Sequence, residues 1–164
     1  MLRVVVAVVL ASALLAASLP GIDLAARERS EATLTAEADR LRTAIADLRH
    51  RESAVGDGAG ARRIVSVGIP ARARTDAGVA ALALGGVPGQ ARAARGSAVD
   101  LAWRVHGGEV RTRRLPGVRV VHCRDGRVRD EPLVLDSPGE YRIALTRIER
   151  DGERLIAVRR LPEV

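Results

Sequence analysis

Three observations predict an α+β chain in which an N-terminal transmembrane helix continues into an amphipathic helix and then a small antiparallel β-rich domain, a sandwich or a meander. The run Val4 to Leu19 carries no charge; Leu34, Ala38, Leu41, Ile45 and Leu48 recur at alternating spacings of four and three; beyond Arg62 this period gives way to short β-prone runs separated by turn residues. The 164 residues divide into an anchor at 1–22, a helical stalk at 23–54, a Gly-rich hinge at 55–61 and a head at 62–164. A head of about 100 residues is enough for one small domain.

The anchor is built from Val4, Val5, Val6, Val8, Val9, Leu10, Leu14, Leu15 and Leu19. Continued through Pro20, Gly21 and Ile22 it reaches nineteen residues before Asp23, about 28 Å at the helical rise against a hydrocarbon core of about 30 Å. Pro20 and Gly21 predict a helix break at the distal interface. Arg3 is the one charged side chain ahead of the run, so the positive-inside rule places the N-terminus in the cytoplasm and the head outside, with Arg27 and Arg29 weighing mildly the other way. The rival reading is a cleaved secretory signal with an apolar core from Val4 to Leu15 and Ala16-Ala17-Ser18 as the small-x-small site, which removes residues 1–18.

The stalk from Leu24 to Ser53 contains neither Gly nor Pro. Its stripe of Leu34, Leu41, Ile45 and Leu48 is the packing face, and Glu31, Glu37, Asp39, Arg40, Arg42, Asp47, Arg49 and Arg51 read as the solvated face opposite. The stripe suits either the chain's own sheet or a short coiled coil with another chain. Gly56, Gly58 and Gly60 end the helix.

In the head, candidate strands are Arg63 to Ile69, Val79 to Leu84, Leu101 to Val105 turning at His106-Gly107-Gly108 into Val110 to Leu115, and Val118 to Cys123 turning at Asp125-Gly126 into Val128. Residues 87–97 read as a loop. Tyr141, Ile143 and Leu145 open the clearest hairpin, which turns at Asp151-Gly152 and returns over Leu155 to Leu161. Seven or eight such strands suit a sandwich, and Leu135, Asp136, Gly139 and Tyr141 resemble a tyrosine corner, in which the hydroxyl ties back to an upstream carbonyl.

Composition narrows function. Trp103 and Tyr141 are the only aromatics, so the core rests on Val, Ile, Leu and Ala. The 27 basic residues are all Arg, and the net charge of +7 belongs to the head, where residues 61–164 hold twenty Arg against twelve acids. Cys123 alone forms no internal disulfide. His122 and Cys123 are strand neighbours pointing to opposite faces, His50 and His106 stand apart, and a zinc site needs convergent ligands. Without Lys there is no standard P-loop, and Ser30, Ser53, Ser66, Ser97 and Ser137 lack a nucleophile elbow. The sequence therefore predicts no enzyme, no cofactor and no metal, and it identifies no small-molecule substrate. Arg111, Arg113, Arg114 and Arg119 form a basic face suited to an anionic surface, while nucleic acid is not expected without stacking aromatics or a recognition helix.

The order of apolar helix, amphipathic extension and β-rich head is similar in plan to type IV pilins and pseudopilins. In particular residues, Met1 to Pro20 (MLRVVVAVVLASALLAASLP), the segments ARRIVSVGIPAR and TDAGVAALALGG within Gly60 to Gly86, LAWRVHGG from Leu101 to Gly108, and the PLVL beginning at Pro132 resemble a small haloarchaeal family of membrane-anchored proteins with a domain of unknown function. That resemblance implies a structural protein without assigned activity, associated with archaeal pilus-like or secretion-like machinery. The expected function is thus a single-pass membrane protein, N-terminus cytoplasmic and head extracytoplasmic, serving as an accessory or structural component of such an assembly, with membrane lipid and protein partners. The alternative is a secreted or surface module whose Arg-rich face captures an anionic ligand.

Overall fold

The computed structural model describes residues 2–50, 62–73, 75–90, 99–115, 117–150 and 152–162, with the side chains of Leu15, Ala17, Leu19, Pro20, Arg49 and His50 excepted. The hinge expected at 55–61 and residues 91–97 of the expected loop lie outside the described residues.

One helix, α1 (Leu2–His50), unites the anchor and the stalk. Its 49 residues extend about 73 Å at 1.5 Å per residue. The break expected at Pro20-Gly21 is absent. A proline removes one intrahelical hydrogen bond, and the Ala- and Leu-rich turns on both sides carry the helix past it. Among the described residues no helix is long and apolar enough to cross a membrane. The transmembrane element expected over 1–22 is accordingly not found as a span: what is described there is the opening of α1, with the side chains of Val4 to Leu14 exposed.

Among the described residues nine strands follow: β1 (Arg62–Ile69), β2 (Val79–Leu84), β3 (Leu101–Val105), β4 (Arg111–Arg113), β5 (Arg119–Arg124), β6 (Arg127–Val128), β7 (Leu133–Leu135), β8 (Gly139–Arg150) and β9 (Glu153–Arg160). They form a five-stranded sheet in the order β1-β8-β9-β5-β6 and a four-stranded sheet in the order β4-β3-β2-β7. The chain crosses between sheets repeatedly, so neither is a simple meander. The β5–β6 turn places Asp125 at φ 53° and Gly126 at φ 74°, the twin left-handed residues of a type I′ hairpin.

An all-antiparallel head is not what forms. β5 runs parallel to β9, with Val120 beside Ile156 and His122 beside Val158. Parallel neighbours need a long connection, supplied here by the excursion of β7 into the other sheet before β8 and β9 return.

Alternation along the strands sends Val67, Ile69, Tyr141, Ile143, Leu145, Ile156 and Val158 from one sheet, and Leu82, Leu84, Leu101, Trp103, Leu133 and Leu135 from the other, into one core. Leu34, Ala38, Leu41, Ala44, Ile45 and Leu48 of α1 complete that core, and the helix touches β1, β3 and β8. Leu34 and Leu41 are 0% exposed. The stripe packs on the chain's own sheets.

Candidate functional site

The functional geometry lies along α1, where two environments meet within one element. Val4, Val5, Val6, Val8, Val9, Leu10 and Leu14 are all exposed, between 56% and 67%. Successive residues turn by about 100°, so these seven encircle the helix instead of forming a stripe. Leu15 and Leu19, expected in the same anchor, have side chains outside the described set.

The environment changes at Ala26, the first buried residue among the described side chains of the helix. The carbonyl of Ala26 accepts from the backbone N–H of Ala77, and the buried Ser30 hydroxyl accepts from Gly78 N–H at 3.3 Å. Gly78 sits at φ 72°, and a Cβ there would meet the Arg72 backbone at 2.8 Å. Only glycine lets the loop close on its own Arg72 at this point, the conformation in which Gly78 N–H meets Ser30 of the helix. Arg29 donates to the Thr75 carbonyl beside it.

Further along, three acids spaced eight residues apart each receive an arginine from the head. Arg111 donates to Glu31 at 2.6 Å, Arg113 donates to Asp39, and Arg63 donates to Asp47. These pairs are about 12 Å apart along the helix axis. The acids read as solvated from the sequence; they are latched. The same pairing redirects the predicted anionic-surface residues, since Arg111 and Arg113 face α1, and Arg113 also lies 5.9 Å from the Trp103 ring centroid. Arg119 pairs with Glu153 at 3.3 Å. Arg114 lies near Asp100, where it acts electrostatically on the carboxylate.

Asp100 is a structural centre that sequence reasoning missed. Its buried carboxylate accepts from Leu115 N–H at 2.7 Å and from Val120 N–H at 3.0 Å, while its backbone accepts from Gly85 N–H and donates to the Arg113 carbonyl. It thereby joins β2, β4 and β5 across both sheets. Burial pushes its pKa above the ordinary value of 3.8, against the lowering effect of the two backbone donors and of Arg114 and Arg119.

His122 is half-buried, and burial lowers its pKa from 6.5. Cys123, its neighbour, belongs to a small apolar cluster with Val121, Leu155, Ala157, Val128 and Ile148. The Tyr141 hydroxyl donates to the Ser137 carbonyl at 2.8 Å, closing the corner that precedes β8. Among the described residues no cluster of three or more His, Cys, Asp and Glu is placed to hold a metal ion. A surface cavity of about 450 Å³ opens where β1, β8 and the end of β9 meet, between Ser66, Glu140, Arg142 and Arg160.

No curated protein and no solved structure matches the chain. The family model for a domain of unknown function, DUF7311, matches residues 1–161, and this chain, an uninterrupted helix fastened to a two-sheet head, belongs to the DUF7311 family.

Proposed function

We propose that the chain is a membrane-anchored structural component, with the N-terminal half of α1 set into lipid and the β-rich head held on the extracytoplasmic side within a pilus-like or secretion-like assembly. The observation that carries this reading is the encircling exposure of Val4, Val5, Val6, Val8, Val9, Leu10 and Leu14. A helix apolar on every side requires an apolar surrounding, and the head covers none of these side chains. The run continues in sequence through Leu15 and Leu19 to Ile22 before Asp23, which supports insertion to the depth of a bilayer. The latched second half supports a transmitting role, because it ties the head to the inserted segment without a joint.

The test is flotation of the full-length chain with anionic lipid vesicles on a density gradient. The native chain is expected with the vesicles, and Val6→Arg with Val9→Arg is expected at the bottom, since each charge at mid-helix costs about 3 kcal/mol of insertion. Equal flotation of both would overturn the reading. The alternative of a surface module capturing an anionic ligand has less to draw on, because Arg111 and Arg113 are engaged by Glu31 and Asp39.

A further inference from the structure

Three of the four sheet edges are short: β6 has two residues, β4 and β7 three each. The fourth, β1, has eight, pairs only with β8, and holds an unbroken register from Arg62 opposite Thr146 to Ile69 opposite Gly139. It contains no proline and no bulge, two of the devices that blunt an edge.

The register also shows where its backbone points. Leu161 N–H donates to the Arg142 carbonyl, so Arg142 directs its backbone groups towards β9 and away from β1. Arg142 lies opposite Ser66, which makes this a non-hydrogen-bonded pair and turns the Ser66 N–H and carbonyl outward. By alternation Arg62, Ile64 and Gly68 point outward as well. Among the described residues no backbone hydrogen bond reaches these groups.

We propose that β1 is a strand-addition site for an extended acidic segment of another protein. Main-chain groups of Arg62, Ile64, Ser66 and Gly68 supply the ladder, and side chains on the sheet face away from α1 supply the preference. Ile64 is 46% exposed there, and among the described residues a Cβ on Gly68 would meet nothing within 4 Å and none covers this face from the edge inward to the cavity at Arg142. Arg62 and Arg142 are exposed and outnumber Glu140; Arg63 faces α1 and is held by Asp47. Acidic side chains on the open face, alternating with apolar ones on the other, fit this arrangement.

A second copy of the chain fits less well. Antiparallel pairing of two β1 strands about a two-fold normal to the sheet reverses every direction in its plane. α1 runs along the sheets, as its successive pairings with Arg111 and Arg113 require, so the two apolar halves would point apart. This choice of partner rests on the anchoring proposed above, whereas the open edge does not.

The test uses the full-length chain in detergent micelles and the anisotropy of labelled octapeptides. Alternating Glu and Val should bind at least about tenfold more tightly than alternating Lys and Val, and methylation of every second amide should weaken it by about tenfold or more, as loss of several main-chain bonds requires. Ser66→Pro should weaken binding similarly, because it deletes an outward donor and leaves the β1–β8 ladder intact. Should that variant misfold, the methylated peptide makes the same test on the native chain. Equal binding of methylated and plain peptide, no binding of the Glu-Val peptide, or a dimer of the chain that Ser66→Pro abolishes would overturn the assignment. Failure of flotation with peptide binding retained would remove the anchor alone.

Discussion

The two halves of α1 differ in apolar content, with 18 Ala, Val, Ile or Leu among residues 2–25 against 10 among residues 26–48, and the richer half is not the one the head buries. Among the described side chains, those of Val4, Val5, Val6, Val8, Val9, Leu10, Leu14 and Leu24 in the first half face the surroundings, while residues 26–48 bury Leu34, Leu41, Ile45 and Leu48 beneath the sheets. Distribution, not content, decides which half is covered. In the first half apolar residues fall on every azimuth; in the second they keep to one stripe flanked by charges, which lets a sheet cover them and leaves the rest of the helix to water. Hydrophobicity alone therefore does not predict burial in this chain, and its angular arrangement does.

Substitutions that treat the halves alike sharpen this contrast. The largest effect is expected at Leu41: Leu41→Ala should cost about 2–5 kcal/mol, read from urea unfolding of the micelle-bound chain by the fluorescence of the buried Trp103, and Leu41→Asp should abolish the cooperative transition. Val9→Ala should shift stability by less than about 0.5 kcal/mol. Equal losses at the two positions would show that the N-terminal half is also buried in the head.

Next is Asp100→Asn, expected to cost about 1–3 kcal/mol because the amide presents one acceptor where two N–H donors converge. Its pH signature has a defined sign. A folded pKa above 3.8 means that the folded state holds the proton more tightly, so the contribution of Asp100 is greatest below 3.8 and declines as pH rises through the folded value. His122 acts oppositely: its lowered pKa favours the neutral ring in the folded state, and stability should fall as pH drops below 6.5 towards the folded value. Urea midpoints across pH 3–8, with Asp100→Asn and His122→Gln each removing its own slope, check both.

Smaller losses mark the boundary between the halves. Ser30→Ala should cost about 1 kcal/mol, the worth of an ordinary hydrogen bond, with hydrogen exchange at Gly78 accelerating first. A double-mutant cycle on Arg113 and Asp39 should give only about 0.2–1 kcal/mol, decreasing with added salt, because both groups keep contact with water.

Much of the head is legible in the sequence because strand signals are local. β2 and β3 fall on Val79 to Leu84 and Leu101 to Val105 as alternation and glycine turns predict, and the Asp125-Gly126 hairpin follows from the φ preferences of its two residues. The helix stripe is legible for the same reason. The parallel placement of β5 beside β9 is not, since it is decided by packing between segments far apart in the chain. Asp100 reads as an ordinary turn residue until Leu115 and Val120 converge on it. The acids at 31, 39 and 47 look solvated until arginines 16 to 80 positions away in sequence reach them.

The placement of β9 bears on how the chain is made. The last of the nine strands to leave the ribosome lies in the middle of the larger sheet, between β8 and β5. Until it arrives, β1 and β8 form a two-stranded ribbon, and β5 and β6 have no neighbour to join them to it. Two-stranded ribbons are marginal in water, and contacts of such high sequence separation form slowly. α1 precedes every one of these strands, so the surface that Leu34, Leu41, Ile45 and Leu48 pack against is completed only when β9 joins β8 to β5.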